Sequence, residues 1–228
     1  MRLPATPTTT LWRELRDDIR RQYPAGRVIV AVDGIDGAGK SVFADGLAET
    51  FAETGDAVFR ASIDGFHRPR AERYARGRHS PEGFYRDSYD YATFRRVLID
   101  PFRDGAQTAG ATGFQLSAFD VVRDAPAESQ WVSAPRDAVL VIDGIFLHRP
   151  LLRDLWDWSL WLEVPFDVAY TRMAVRDGCD PDPDAPTNAR YRRGQDLYLR
   201  EAAPREAASV VVDNSDFAHP RRIPESVG

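Results

Sequence analysis

Apolar positions recur along this chain in two rhythms that take turns. Leu11, Leu15 and Ile19 lie at helical spacing and predict an amphipathic helix ending near Tyr23-Pro24, since a residue before proline is pushed out of the helical region. Ahead of it, residues 1–9, with Pro4, Pro7 and a threonine run, read as a loose leader. Arg27 to Asp33 is a β-branched apolar run of the kind that fills a buried parallel strand. Val42, Phe43, Leu47, Ala48 and Phe51 return to helical spacing, and Ala57 to Ile63 reads as a second strand. Residues 68–91 are polar, arginine-rich and aromatic and predict loop with a short helix, followed by a helix over Tyr91 to Phe102. Gly113 to Val122 and Gln130 to Ser133, separated by Asp124-Ala125-Pro126, predict a hairpin.

Ala138 to Gly144 is the clearest strand after the first, an apolar run ending in an acid. Trp158 to Val164 predicts another, with Trp156, Trp158 and Trp161 in the core, and Asp167 to Arg176 a helix with Pro165 just ahead of it. Gly178 to Pro186 cannot be regular, because four of its residues are Gly or Pro and three are Asp. Residues 188–203 resume helix, Ser209 to Asp213 makes a last strand, and the chain after Pro220 is expected to fray. Strands alternating with helices at these lengths predict an α/β fold of three layers, a mostly parallel sheet with helices on both faces.

Composition narrows the class. At 228 residues, 43 % of them hydrophobic, the chain suits one domain with a substantial core. The single cysteine, Cys179, excludes an internal disulfide and points to a reducing, cytoplasmic setting. No apolar stretch approaches membrane length, and the N-terminus lacks a signal-peptide pattern. A net charge of −5 argues against broad nucleic-acid binding.

Thirty residues are Lys or Arg, and Lys40 alone among them is lysine. It stands in Gly34-Ile35-Asp36-Gly37-Ala38-Gly39-Lys40-Ser41, a complete G-x-x-x-x-G-K-[ST] loop. A compact ammonium on a thin stem can touch two phosphates inside such a loop, where a planar guanidinium is too wide. Strand, glycine loop and helix together aim free N–H groups and a positive helix end at a phosphate. Gly34, Asp36, Gly37, Ala38, Gly39, Lys40, Ser41 and Val42 are therefore the expected nucleotide-binding residues. The glycines do not follow the G-x-G-x-x-G dinucleotide fingerprint.

Two acids follow apolar strands, at the end where open α/β sheets place ligands. Asp143 is expected to hold Mg²⁺ with the hydroxyl of Ser41; otherwise it caps a turn. Asp64, with its strand laid beside the first, would come near the γ-phosphate and take a proton from an attacking hydroxyl; equally, Asp64-Gly65 could form a turn. The run from Arg68 through Arg70, Arg73, Arg76 and Arg78 reads as a solvated arginine helix first, then as a surface for an anionic substrate, and last for nucleic acid.

The blocks GIDGAGKS, SIDGFHRP, SAFDVVRD, VIDGIF and TRMAVRD, in that order, resemble the uridine kinase–phosphoribulokinase family of P-loop kinases over about residues 27–213. The resemblance implies ATP and Mg²⁺ as cofactors and phosphorylation of a hydroxyl on a small, nucleoside-like metabolite. It gives Asp64 the place of the base. His67 falls where the family sets a substrate-side ring, and Asp90 where an acid holds ribose hydroxyls; Phe66 and Tyr89 flank these positions. Phe119-Asp120 resembles the block that grips the base, but the family's histidine is matched by Arg123 or Asp124, which implies a different acceptor. Arg172 and Arg176, then Arg190, Arg192 and Arg193, flank the irregular segment as an arginine-bearing lid would; Arg172 and Arg176 are expected to act with Lys40 on the transferring phosphoryl group.

The expected division is a leader and helix over 1–26, one kinase domain over 27–217 with a hairpin near 112–133 and a lid near 177–193, and a tail over 218–228. Expected partners are a small hydroxyl-bearing acceptor and neither membrane nor nucleic acid, with a homodimer allowed. Rival readings are a kinase for pantothenate, ribosyl-nicotinamide, a sugar or an antibiotic; a nucleoside-monophosphate kinase, since GIDGAGKS also resembles thymidylate kinase loops; and a nucleotide-dependent switch.

Overall fold

The apolar runs of the chain lie side by side in one sheet. The computed structural model describes residues 2–105 and 113–224. In chain order these form α1 (Pro7–Gln22), β1 (Arg27–Gly34), α2 (Lys40–Glu53), β2 (Ala57–Ser62), α3 (Arg70–Arg73), α4 (Pro81–Asp87), α5 (Tyr91–Phe94) and α6 (Asp100–Asp104). The short strands β3 (Phe114–Gln115), β4 (Phe119–Asp120), β5 (Ala125–Pro126) and β6 (Trp131–Val132) come next. Then follow β7 (Ala138–Gly144), β8 (Trp158–Glu163), α7 (Phe166–Asp177), α8 (Ala189–Ala202), α9 (Pro204–Ala207), β9 (Val210–Asp213) and β10 (Arg221–Ile223).

The sheet order is β10-β9-β8-β1-β7-β2, parallel throughout except for β10. β1 and β7 are buried over almost their whole length, as strands covered on both faces must be. One expectation fails here. β2 does not lie beside β1; β7 sits between them, because its uninterrupted apolar run suits the centre and β2 is only half-buried. The register aligns Val32 with Asp143 and Ser62 with Asp143, so the carboxyl ends of three strands open at one level.

The leader is shorter than its threonines suggest. Thr6 caps α1, its side chain accepting from Thr9 N while Thr6 N donates to Thr9 Oγ1 at 2.8 Å, so helix starts at Pro7. Leu11, Leu15 and Ile19 are buried where α1 packs on α2, and Trp12 meets Phe43 edge-on at 5.8 Å. Arg13 pairs with both oxygens of Glu53 at 2.9 Å, and Leu3 N donates to the same carboxylate at 2.6 Å. The Arg13 pairing first, then the Leu3 N–H, hold the Glu53 carboxyl down at about 2, against 4.5 ordinarily. A depressed folded value gives stability that is present above about pH 4.5 and lost as pH falls towards 2. Glu53→Gln should flatten that part of the acid-unfolding profile, as chemical denaturation at stepped pH would show; an unchanged profile counts against the clamp.

Elsewhere the structure departs locally from the predicted elements. The helix expected over Tyr91 to Phe102 widens to a π turn at Arg95–Ile99, ahead of Pro101, which has no N–H to give the α ladder. The hairpin is two short antiparallel pairs, β3 with β6 and β4 with β5. The tail does not fray at once: β10 pairs with β9, Arg221 reaches Asp213 at 2.9 Å and Arg222 reaches Asp18 at 2.6 Å. Residue 112 of the expected hairpin and residues 225–228 of the tail lie outside the described residues. Among the described residues no helix is long and apolar enough to cross a membrane.

Candidate active site

The phosphate loop is held from three sides. Gly37 and Gly39 have φ of 76° and 87°, and a Cβ at Gly37 would stand 2.5 Å from the Ala169 carbonyl of α7. Asn214, after β9, donates to the Ala38 carbonyl at 2.8 Å, and Asp33 Oδ1 accepts from Gly34 N at 2.7 Å. Gly39 caps α2 without a side-chain hydrogen bond, which leaves the first N–H groups of the helix free to face an anion. Lys40 Nζ donates to the Ile35 carbonyl at 2.7 Å, which keeps the ammonium over the loop.

Beneath the loop lies a buried polar cluster that the sequence reading missed. Asp33 Oδ2 accepts from His148 N at 3.0 Å, lies 2.8 Å from His148 Nδ1, and accepts from the Tyr198 hydroxyl of α8. His148 Nε2 meets Ser159 Oγ at 3.0 Å. All four residues are buried. Burial, then the charge of Asp33, pushes the Tyr198 hydroxyl well above the usual range, so it stays a donor. This cluster ties β1 to α8 directly behind the phosphate loop.

The two acids differ in setting. Asp143 is buried; its Oδ2 accepts from Ser41 Oγ at 2.6 Å, and its Oδ1 from Arg60 at 2.9 Å. Arg60 also donates to Asp45 and to the Val141 carbonyl, and was not foreseen; an arginine in the otherwise apolar β2 run was the available signal. Asp64 is exposed just beyond the strand, as expected, on the 3₁₀ turn Ile63–Phe66, whose first residue is the expected end of the strand. Its Oδ1 accepts from the Tyr89 hydroxyl at 2.8 Å, and its carbonyl lies 2.8 Å from His67 Nδ1. Burial, then Asp64's charge, holds Tyr89 protonated, while burial pushes the His67 imidazole down and keeps it neutral. The two rings pack at 4.6 Å, so Tyr89 holds the carboxylate while His67 holds the turn that carries it.

Lys40, Ser41, Asp143 and Asp64 line one cavity of ≈ 1010 Å³, large enough for a nucleotide and a small second ligand. No family model matches the chain. Among solved structures it is similar to a possible uridine kinase from Bacillus stearothermophilus, with TM-score 0.63 and 22% identity over 87% of this chain and 97% of that one. It is also similar to a protein named as a fructose transport system kinase from Silicibacter sp. TM1040, with TM-score 0.60 and 26% identity over 86% and 94% of the two chains. Phosphoribulokinase from Rhodobacter spheroides matches with TM-score 0.51 and 20% identity over 88% and 76%. The chain has the fold of the uridine kinase-like P-loop kinases.

Within this P-loop kinase fold, the sequence-predicted residues sort by position. Asp36, Gly37, Gly39, Val42, His67, Tyr89 and Arg176 join the four above in the cavity wall. Gly34 and Ala38 are buried under the loop. Five others lie off the wall. Phe66 is in the core, edge-on to Phe94 at 5.0 Å. Asp90 caps α5, accepting from Thr93 N at 3.0 Å. Phe119 is tied up in the β4–β5 pair and Arg123 is exposed on its turn; Val121 faces the cavity between them. Arg172 donates to the carbonyls of Asn214 and Ser215 and stacks on Phe217 at 3.6 Å.

The lid arginines also separate in this P-loop kinase fold. Arg176 reaches the cavity and pairs with Asp177 at 2.7 Å. Arg190 is buried, donating to the Arg78 and Ser80 carbonyls between the Tyr74 and Phe84 rings, so it builds the wall instead of facing it. Arg192 covers the Phe166 ring at 3.8 Å beside Asp196, and Arg193 is exposed. The arginine run turns outward: Arg68 pairs with Glu72, Arg73 with Asp124 and Arg76 with Asp87, and none of them lines the cavity.

Proposed function

We propose that this protein is an ATP- and Mg²⁺-dependent kinase that phosphorylates a hydroxyl of a neutral, nucleoside-like metabolite. The observation that carries the reading is Asp64. A carboxylate held by Tyr89, on a turn whose backbone carbonyl meets His67, shares one cavity with Lys40, and the wall also carries Phe84, Val121, Ile145 and Tyr191. No arginine of the 68–78 run lines the cavity, and Arg68, Arg73 and Arg76 are paired with acids, so the nucleoside-monophosphate alternative lacks its anchor.

In this reading the free N–H groups of α2 and Lys40 Nζ bind the phosphates of the nucleotide. Ser41 Oγ and Asp143 Oδ2, two hard oxygens already 2.6 Å apart, suit Mg²⁺ and would hold it beside the phosphates. When bound, Mg²⁺ screens charge on the phosphate oxygens. Arg60 occupies the second oxygen of Asp143 and directs Oδ2 towards that position. The acceptor hydroxyl gives its proton to Asp64 as its oxygen attacks the terminal phosphorus, the bond from that phosphorus to the bridging oxygen breaks and ADP leaves with that oxygen, and Tyr89 keeps the carboxylate in place. Arg176, freed from Asp177, neutralises charge on the transferring oxygens. The 178–188 segment, pinned where Asn188 Nδ2 donates to the Asp180 and Asp182 carbonyls, excludes water that would otherwise hydrolyse the nucleotide.

The test is ADP release from Mg·ATP across nucleosides, sugars, pantothenate, ribosyl-nicotinamide and nucleoside monophosphates, with Lys40→Ala as the blank. Release confined to neutral hydroxyl compounds, and abolished in the variant, is the expected result. Release with monophosphates, or slow release that no acceptor changes, would replace this reading by a monophosphate kinase or a switch.

A further inference from the structure

Asp36 is an odd residue for a phosphate cradle. A negative charge there repels the anion that the loop exists to hold, and Lys40 and Arg176 offset it only in part. Its Oδ2 accepts one hydrogen bond, from Gln195 Nε2 of α8 at 3.2 Å, and Oδ1 accepts from no donor among the described residues. Burial pushes the carboxyl up, and the charge of Asp64 adds to that rise. The two carboxylates are thus within electrostatic reach of each other in one cavity wall.

Two further atoms at this spot lack partners. The Tyr170 hydroxyl is buried in the cavity wall with no hydrogen bond, and burial, then the charge of Asp36, pushes it up. Gln195, 1 % exposed, leaves its Oε1 without a donor. Buried polar groups are rarely left unpaired, so a partnerless hydroxyl in the cavity wall near a half-satisfied carboxylate points to a ligand that both donates and accepts, with Gln195 behind that carboxylate. A hydroxyl does both; a phosphate only accepts at this carboxylate's expense.

We propose that Asp36, held by Gln195 and assisted by Tyr170, binds a second hydroxyl of the acceptor while Asp64 takes the proton of the first. The loop acid is then a specificity-determining residue rather than part of the nucleotide cradle. The proposal rests on the kinase reading above. It selects acceptors with a free hydroxyl beside the phosphorylated one and disfavours anionic acceptors, which two like charges repel.

The test takes the best neutral acceptor from the ADP-release panel and its analogues lacking each remaining hydroxyl in turn. Asp36→Asn keeps an acceptor for Gln195 Nε2, so the loop stays tied to α8. The variant should raise KM for the intact acceptor about 10- to 100-fold, the range for a lost charge-assisted hydrogen bond, with no weakening of fluorescent-ATP binding. One analogue should show that same penalty in the wild type and no further penalty in the variant, closing a protein–ligand cycle. Tyr170→Phe should raise the same KM by a smaller factor. Penalties that add independently for every analogue overturn the inference and leave the kinase standing. So does a variant that changes only the Mg²⁺ requirement. A panel in which no neutral hydroxyl compound is turned over removes the kinase reading and this inference together.

Discussion

Asp64→Asn turns over its acceptor about 10²- to 10⁴-fold more slowly than the wild type, the range expected for a lost general base. Asparagine keeps an oxygen for the Tyr89 hydroxyl at the 2.8 Å position, so the turn and the ring pair survive. What goes is the capacity to take a proton. Binding of a fluorescent ATP analogue should be unchanged, because Asp64 makes no hydrogen bond to Lys40, Ser41 or the first N–H groups of α2. Steady-state kcat with the acceptor, read beside nucleotide affinity, separates the two effects. Wild-type turnover in Asp64→Asn would make the residue a turn former and shift the search for a base elsewhere in the wall.

Asp33→Ala is expected to destabilise the fold by about 3–5 kcal/mol, as removal of one partner of a buried charged network does. The carboxylate is fully buried and serves Gly34 N, both donors of His148 and the Tyr198 hydroxyl. Alanine leaves Gly34 N, His148 Nδ1 and the Tyr198 hydroxyl without this acceptor, while His148 N keeps the Tyr198 oxygen at 2.9 Å, and it opens a gap behind the phosphate loop. Total stability of a domain is about 5–15 kcal/mol, so such a loss reaches a large share of it. Guanidinium unfolding measures it directly. Asp33→Asn, which keeps one acceptor, should lose less. A change below about 1 kcal/mol in Asp33→Ala would mean the cluster is hydrated or rearranged, since an unpaired buried group alone costs about that much.

Local features were legible along the chain. The phosphate loop, the central strands and the helix after the loop each follow from residues a few positions apart, and each is where the pattern put it. Local departures were less so: the capping pair Thr6–Thr9 starts α1 early, and Pro101, lacking an N–H, goes with a widened turn inside the 91–104 helical stretch. The arginines illustrate the other limit. Arg172, Arg176, Arg190 and Arg192 look alike in sequence, yet one stacks on Phe217, one lines the cavity, one is buried under Tyr74 and one covers Phe166.

By itself, then, the sequence determined the α/β class, the phosphate loop with its lone lysine, and the acids at the ends of the second and central strands, because periodicity and turn chemistry act over a few residues. Only the tertiary structure decided that β7 enters between β1 and β2, that Arg60 takes one oxygen of Asp143, that Tyr89 holds Asp64, and that Asp33 is locked to His148 and Tyr198. These pairs join residues 25 to 165 positions apart. Their energy comes from desolvating polar groups together in the folded interior, and no spacing along the chain records which groups will share that burial.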